Sequence, residues 1–224
     1  MIDETKVREA RDKMVEATEL LNSILNAPAS KKRILICPGH SSKRQGYKGR
    51  NGRFSEHDCT VMISSMATVG LRNLGYHVDI YDPAVDDLKL DGAKAKGYDA
   101  YIAPHLNAYD ADDEDEYTCV LVHPNRRQAS IMLANSIAVK TLEALSEEVS
   151  AKMFSPNAKY PGVYFRAVTV LSHAERVTPP AVPCVLPESF FLDAYSDASL
   201  VETLCEKAAI GIINGVSEYF YNLT

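Results

Sequence analysis

The amino-acid sequence predicts an α/β fold: a single three-layer domain in which a mostly parallel, mixed sheet of about six strands carries helices on both faces, with a further helix at the N-terminus. Three observations predict it. Short continuous apolar runs such as Ile34-Leu35-Ile36-Cys37 suit strands buried on both faces. They alternate with longer stretches whose apolar residues return every three or four positions, the spacing of a helix with one buried side. The length of 224 residues, 46% of them apolar, supplies one sizeable core and is short for two.

Residues 1–30 stand apart from the alternating pattern. Val7, Ala10, Met14, Ala17, Leu21 and Ile24 make an apolar stripe on a helix otherwise covered by Glu, Lys and Arg, and Asn26-Ala27-Pro28 stops it. The plain reading is a packing surface; the sharper one is a surface for self-association. Residues 31–224 form the main domain. Its first strand is broken abruptly by Pro38-Gly39, and a glycine-rich basic loop follows over 41–53. Ser55 with Asp58 reads as a capping box, so a helix opens there and runs through Met62, Met66, Val69 and Leu74 until Gly75. A strand over 76–81, a helix over 84–96 and a strand over 99–103 come next. A fourth strand is expected over 117–123, and Ser130, Ile131, Ala134, Ile137, Ala138, Leu142 and Leu145 mark a long helix. Residues 150–161 read as loop, 163–171 and 181–186 as strands, and 197–221 as the closing helix.

Composition removes several function classes. Asp and Glu number 30 against 24 Lys and Arg, a net charge of −6, and no basic stripe of the kind nucleic acid demands is visible. No apolar stretch approaches the ~20 residues of a membrane span, so membrane insertion is not expected. The start of the chain lacks the basic-then-apolar run of a signal peptide, which predicts synthesis in the cytoplasm. Cys37, Cys59, Cys119, Cys184 and Cys205 are odd in number and far apart, and they read as reduced, buried, small hydrophobes.

In sheets of this type ligands gather at the carboxyl ends of strands. His40 follows the first strand, His105 the third and Glu188 the last, and Glu56 lies in the first turn of the helix after the basic loop. Together the four read as a mononuclear zinc hydrolase site. Two histidines and one carboxylate hold zinc with a coordination position left open, so that a bound water ionises near pH ~7, and a further carboxylate serves as general base and acid. Other candidates are weaker. His57 directly follows Glu56 and points about 100° away on a helix. His77 lies on the polar face of its strand, and the run 110–116 lacks the spacing of a calcium loop. His123, which ends a strand before Pro124, and His173, in the loop before the Glu188 strand, are candidates to face substrate, and the cationic loop carrying Arg44 and Arg50 is expected to border the site.

The motifs themselves are similar to those of a known family. Ile36-Cys37-Pro38-Gly39-His40, Glu56 at the head of a helix, Pro104-His105-Leu106-Asn107-Ala108, and Pro183-Cys184-Val185-Leu186-Pro187-Glu188 followed by Phe191-Leu192 resemble, in order, the signature segments of zinc-dependent N-acetylmuramoyl-L-alanine amidases with the type 3 catalytic domain. The resemblance covers about residues 33–216. It implies a peptidoglycan hydrolase that cuts the amide between the lactyl group of muramic acid and L-alanine. It also implies one zinc ion per chain with His40, Glu56 and His105 as ligands and Glu188 as the catalytic glutamate. Arg44, Arg50, Asn107 and His173 are then candidates for substrate binding, peptidoglycan is the partner and the cell wall the place of action, a phage lysin being one setting.

This chain departs from the family pattern at three places. Cys37 stands where the family has Asp and Ser41-Ser42 where it has two glycines. Ala103-Pro104-His105-Leu106-Asn107 stands where the family has Ser-Ile-His-Ala-Asn, and Phe190 replaces a glycine. No ligand position is lost, but the residues that orient the ligands must differ. Two other readings remain open on the sequence: a zinc peptidase for another amide, and a wall-binding protein of the same fold without turnover.

Overall fold

The computed structural model describes residues 32–82, 87–108, 117–125, 127–154 and 159–223; the expected helix over 1–30 and the acidic run 110–116 lie outside them. Strand β1 (Arg33–Ile36) lies between two parallel neighbours, β2 (His77–Ile80) and β3 (Ala100–Ile102). Its apolar run is needed on both sides: Ile34 and Ile36 enter one hydrophobic cluster, Leu35 and Cys37 the other. Beyond β3 comes β8 (Cys184–Phe191), parallel to it, and then β5 (Tyr117–Val122), antiparallel to β8. The far edge of β5 carries β6 (Lys152–Met153) along its first half and β7 (Val163–Phe165) along its second. A short strand β4 (His105–Asn107) pairs with β8 past the end of β3, the two separated by Ala103-Pro104.

Helices α1 (Glu56–Asn73), α3 (Gln128–Leu145) and α5 (Ala198–Tyr221) cover one face, and α2 (Leu88–Ala93) with α4 (Thr169–Val177) the other. The α3–α5 approach is close because α5 offers glycine there. A Cβ on Gly211 would lie 2.4 Å from Thr141 Oγ1, and one on Gly215 would lie 2.6 Å from Ile137 Cα. No helix of the described residues is long and apolar enough to cross a membrane.

The three-layer mixed sheet is as the sequence predicts, and the capping box of α1 is present, Ser55 and Asp58 exchanging hydrogen bonds. Four local expectations are corrected. The strand expected over 163–171 ends at Phe165, and Thr169–Val177 is helical. The β-branched Val168-Thr169-Val170 favours a strand locally, but Val170, Leu171 and Ala174 bury one helical side against the sheet and tertiary packing wins. The last strand runs on through Pro187 to Phe191 instead of stopping near 186, so Glu188 lies inside it. The loop expected over 150–161 contains β6, and the helix expected over 84–96 is seen from Leu88 to Ala93.

Candidate active site

His40, Glu56 and His105 converge from three elements. His40 leaves β1 through Pro38-Gly39 with a φ of 63°, the left-handed region that side chains other than glycine seldom adopt. The turn is pinned to the link between β3 and β4, since Gly39 N donates to Pro104 O at 2.9 Å. The Gly39 carbonyl in turn accepts from the Thr60 hydroxyl at 2.9 Å and lies 3.1 Å from His57 Nδ1. His57 therefore buttresses the backbone next to His40 and stays outside the cluster.

Glu56 is the first residue of α1, where exposed amides and the helix dipole favour an anion. It is 2% exposed, and each oxygen is held twice. Oε1 lies 3.1 Å from His105 Nδ1 and accepts from Leu106 N at 3.2 Å; Oε2 lies 2.9 Å from His40 Nε2 and accepts from Tyr47 N at 3.4 Å. Burial by itself raises this carboxyl, but hydrogen bonds and charge from His105 and His40 outweigh it and hold the group well below the usual carboxylate range. Glycines clear the space. A Cβ on Gly46 would sit 2.4 Å from Glu56 Oε2, and one on Gly39 would sit 2.7 Å from the His105 ring.

Glu188 projects from the middle of β8, between His105 of β4 and Cys119 of β5 in the sheet register. Its side chain is partly open, while Oε2 is buried and has no hydrogen-bond partner among the described residues. Burial pushes its pKa well up, the negative charge of Glu56 adds to the rise, and Arg166 opposes it.

The donor set suits zinc. Two imidazole nitrogens and a carboxylate oxygen can be chosen with all three atoms within 4.8 Å of one another. Zinc bonds of ~2.0–2.1 Å in tetrahedral geometry put ligand atoms roughly 3.3 Å apart, so small side-chain adjustments suffice.

The remaining sequence candidates divide. Asn107 shares the face of His105, two residues away on β4, and its Nδ2 is buried without a partner among the described residues. Arg44 and Arg50 are exposed in the loop whose Gly46 abuts Glu56, whereas Arg53 is engaged with Glu202 at 3.1 Å. His173 is a helical residue of α4 packed beside Gly92 of α2, not a loop residue. His123 is carried away from Glu188. Because β5 runs antiparallel to β8, Cys119 stands opposite Glu188 and His123 lies four residues farther on, about 13 Å along the strand. There its Nδ1 is 3.6 Å from Glu175. The sequence reading names Gly39 as a strand breaker and does not single out Gly46 or Arg166. Gly46 had a signal, since it lies in the segment that links His40 to Glu56; Arg166 had none.

A family model described as N-acetylmuramoyl-L-alanine amidase matches residues 34–218. No curated protein sequence matches the chain. Among solved structures, an N-acetylmuramoyl-L-alanine amidase from Clostridium difficile 630 is similar with a TM-score of 0.68 at 19% identity, covering 84% of this chain and 96% of that one. The catalytic domain of CwlV, an amidase of Bacillus (Paenibacillus) polymyxa var. colistinus, gives 0.66 at 21% identity, with 84% and 98% covered. The catalytic domain of the CD27L endolysin, which targets Clostridia difficile, gives 0.59 at 20% identity, with 83% and 96% covered. At such identities these likenesses speak to the fold.

Proposed function

Because this chain belongs to the N-acetylmuramoyl-L-alanine amidase family, we propose that it is a peptidoglycan hydrolase cutting the amide between the lactyl group of N-acetylmuramic acid and L-alanine of the stem peptide. In this reading residues 31–224 are the catalytic domain, His40, Glu56 and His105 hold one zinc ion, Glu188 moves the proton, and the cell wall is the place of action. The single observation that carries it is the His40–Glu56–His105 cluster with Glu188, its Oε2 buried and without a partner, alongside.

Zinc, when bound there, acidifies a water and polarises the amide carbonyl. The protein's own residues do the rest. Glu56 and the two histidines fix the place of the reacting groups, and the turn at Gly39-His40 is held rigid by Thr60 and His57. Glu188 takes a proton from the attacking water and passes it to the L-alanine nitrogen as the carbon–nitrogen bond breaks. The products are the muramyl lactyl carboxylate and a stem peptide with a free amine. Burial of Glu188 makes it a stronger base than an exposed carboxylate, which suits that transfer.

The test has two arms on the full chain. Purified protein is expected to hold about one equivalent of zinc, with the content falling strongly in His40→Ala and in His105→Ala; unchanged metal in both variants removes the ligand assignment. Purified cell wall digested by the zinc-loaded protein is expected to gain free amines that belong to L-alanine. New amines on any other residue, or none, overturn the substrate assignment.

A further inference from the structure

The sheet order places the elements of the site in a line. Reading across it, the basic loop and His40 follow β1, His105 opens β4 where β3 leaves off, Glu188 lies in β8, and β5 comes next. On β5 the residue opposite Glu188 is Cys119, so the two side chains leave the same sheet face. Tyr117, two residues earlier, shares that face and stands about 8 Å from Glu188 between Cα positions, one strand across and two residues along.

Around Tyr117 lies an aromatic cluster that the reaction does not use. Its ring stacks on Phe154 with centroids 4.5 Å apart and meets Phe191 edge-on at 4.9 Å, and Phe154 meets Tyr164 edge-on at 5.1 Å. Phe191 is buried, whereas Tyr117, Phe154 and Tyr164 are each half-buried. Helix cover on this face comes from α2 and α4, with α4 packed on β8, while β5, β6 and β7 take their long helix, α3, on the opposite face. In the sheet order these half-buried rings, on β5, on β7 and just after β6, come directly after Glu188 of β8.

We propose that Tyr117, Phe154 and Tyr164 form the glycan-side subsite, on which the pyranose ring of the substrate stacks while the carboxylate-bearing stem peptide extends toward the cationic loop of Arg44 and Arg50. This rests on the amidase reading above. A pyranose ring offers one face of C–H bonds to an aromatic ring and keeps its hydroxyls in water, and the two phenolic groups supply a polar edge. The opposite flank has the complementary character. Lys43, Arg44, Lys48 and Arg50 are exposed there, and stem-peptide carboxylates are anions. The susceptible amide joins sugar to peptide, so a substrate lying along the line puts that bond over Glu188.

The experiment compares two soluble substrates on the zinc-loaded full chain: N-acetylmuramyl-L-alanyl-D-isoglutamine, and the same lactyl dipeptide without the sugar. The native chain is expected to have a lower KM for the sugar-bearing compound. Tyr117→Leu and Tyr164→Leu are each expected to raise that KM roughly three- to tenfold with little change in kcat, so that the KM ratio between the two substrates moves toward one. In the native protein, N,N′,N″,N‴-tetraacetylchitotetraose should shift the NMR signals of tyrosine rings, a readout independent of turnover, and trialanine should not. Equal KM for both substrates in the native chain overturns the subsite, as does an effect of both variants confined to kcat. Ring shifts with trialanine alone reassign the patch to peptide and overturn it too. Failure of the native chain to cleave the lactyl–alanine bond in either compound or in cell wall is a different result and removes the amidase reading itself.

Discussion

Two glutamates on the same side of the sheet each keep one buried oxygen without a hydrogen-bond partner among the described residues, Oε1 of Glu175 and Oε2 of Glu188. They differ in what holds the rest of the group. Glu175, in α4 and 4% exposed, is surrounded by partners at the far end of β5. Its Oε2 accepts from Asn125 Nδ2 and lies 3.5 Å from Arg127 Nε and 3.6 Å from His123 Nδ1. The same Arg127 donates to the carbonyls of Glu175, Thr178 and Pro179, closing the end of α4. Glu188, in β8, has a buried Oε2 with no hydrogen-bond partner among the described residues. The charge of Glu175 is spent on fixing a helix end. That of Glu188 is kept unspent beside three side chains suited to a metal. A buried carboxylate held beside a guanidinium serves the architecture, whereas one without such a partner at the carboxyl end of a sheet is a candidate for chemistry.

The comparison breaks most visibly at Glu188. Glu188→Gln keeps shape and removes basicity, so turnover on cell wall should fall by ~10²–10⁴ while zinc content stays near one equivalent. In the proposed reading Glu188 acts as its ionised form, and burial raises its pKa, so the native rate should rise with pH on the acidic side of the profile. The variant should lose this acidic limb. A pH–rate profile measured on both proteins decides it, and near-native activity in the variant would place the base elsewhere.

At the other end, Arg127→Ala leaves Glu175 buried without its main counter-charge and the end of α4 without its donor. Urea denaturation should show a loss of about 3–5 kcal/mol, while the zinc content of the folded protein is retained. A loss below ~1 kcal/mol would show that Glu175 is no more constrained than a surface ion pair.

The smallest effect carries the opposite sign. The folded-state pKa of Glu188 lies above its unfolded value, so folding takes up a proton and stability falls as pH climbs from one value toward the other. Metal-free Glu188→Gln should therefore melt at a higher temperature than the metal-free native chain at pH ~7, and the gap should narrow near pH ~4, where the unfolded carboxyl is also protonated. Thermal melts at the two pH values are the check. A variant less stable at both would mean that the carboxylate has partners in solution.

What was legible in the sequence was the part written in local chemistry. The apolar run of β1, the Ser55–Asp58 cap that starts α1, and the residues His40, Glu56, His105 and Glu188 are each marked by their immediate neighbours. What was not legible depends on partners distant in the chain. Nothing in the 117–123 run says that its strand is antiparallel to β8, and that direction alone takes His123 to the Glu175 end. Likewise the stretch Val168-Thr169-Val170-Leu171 reads as strand, and the helix there is imposed by the apolar side it buries, which moves His173 onto α4. The sequence puts Glu188 just past a strand that ends at Leu186; instead β8 runs on through Pro187 to Phe191.

The positive φ of His40 sets two selection pressures against each other. A residue with a Cβ costs roughly 1–2 kcal/mol in the left-handed region, a cost that glycine escapes. In a library ranked by how much folded protein accumulates, position 40 therefore gains by becoming glycine. Ranked by cell-wall clearance in the proposed reading, the same position tolerates nothing without an imidazole. The preferred letter at this site thus inverts with the question put to the population, and a descendant freed from catalysis would be expected to change there first.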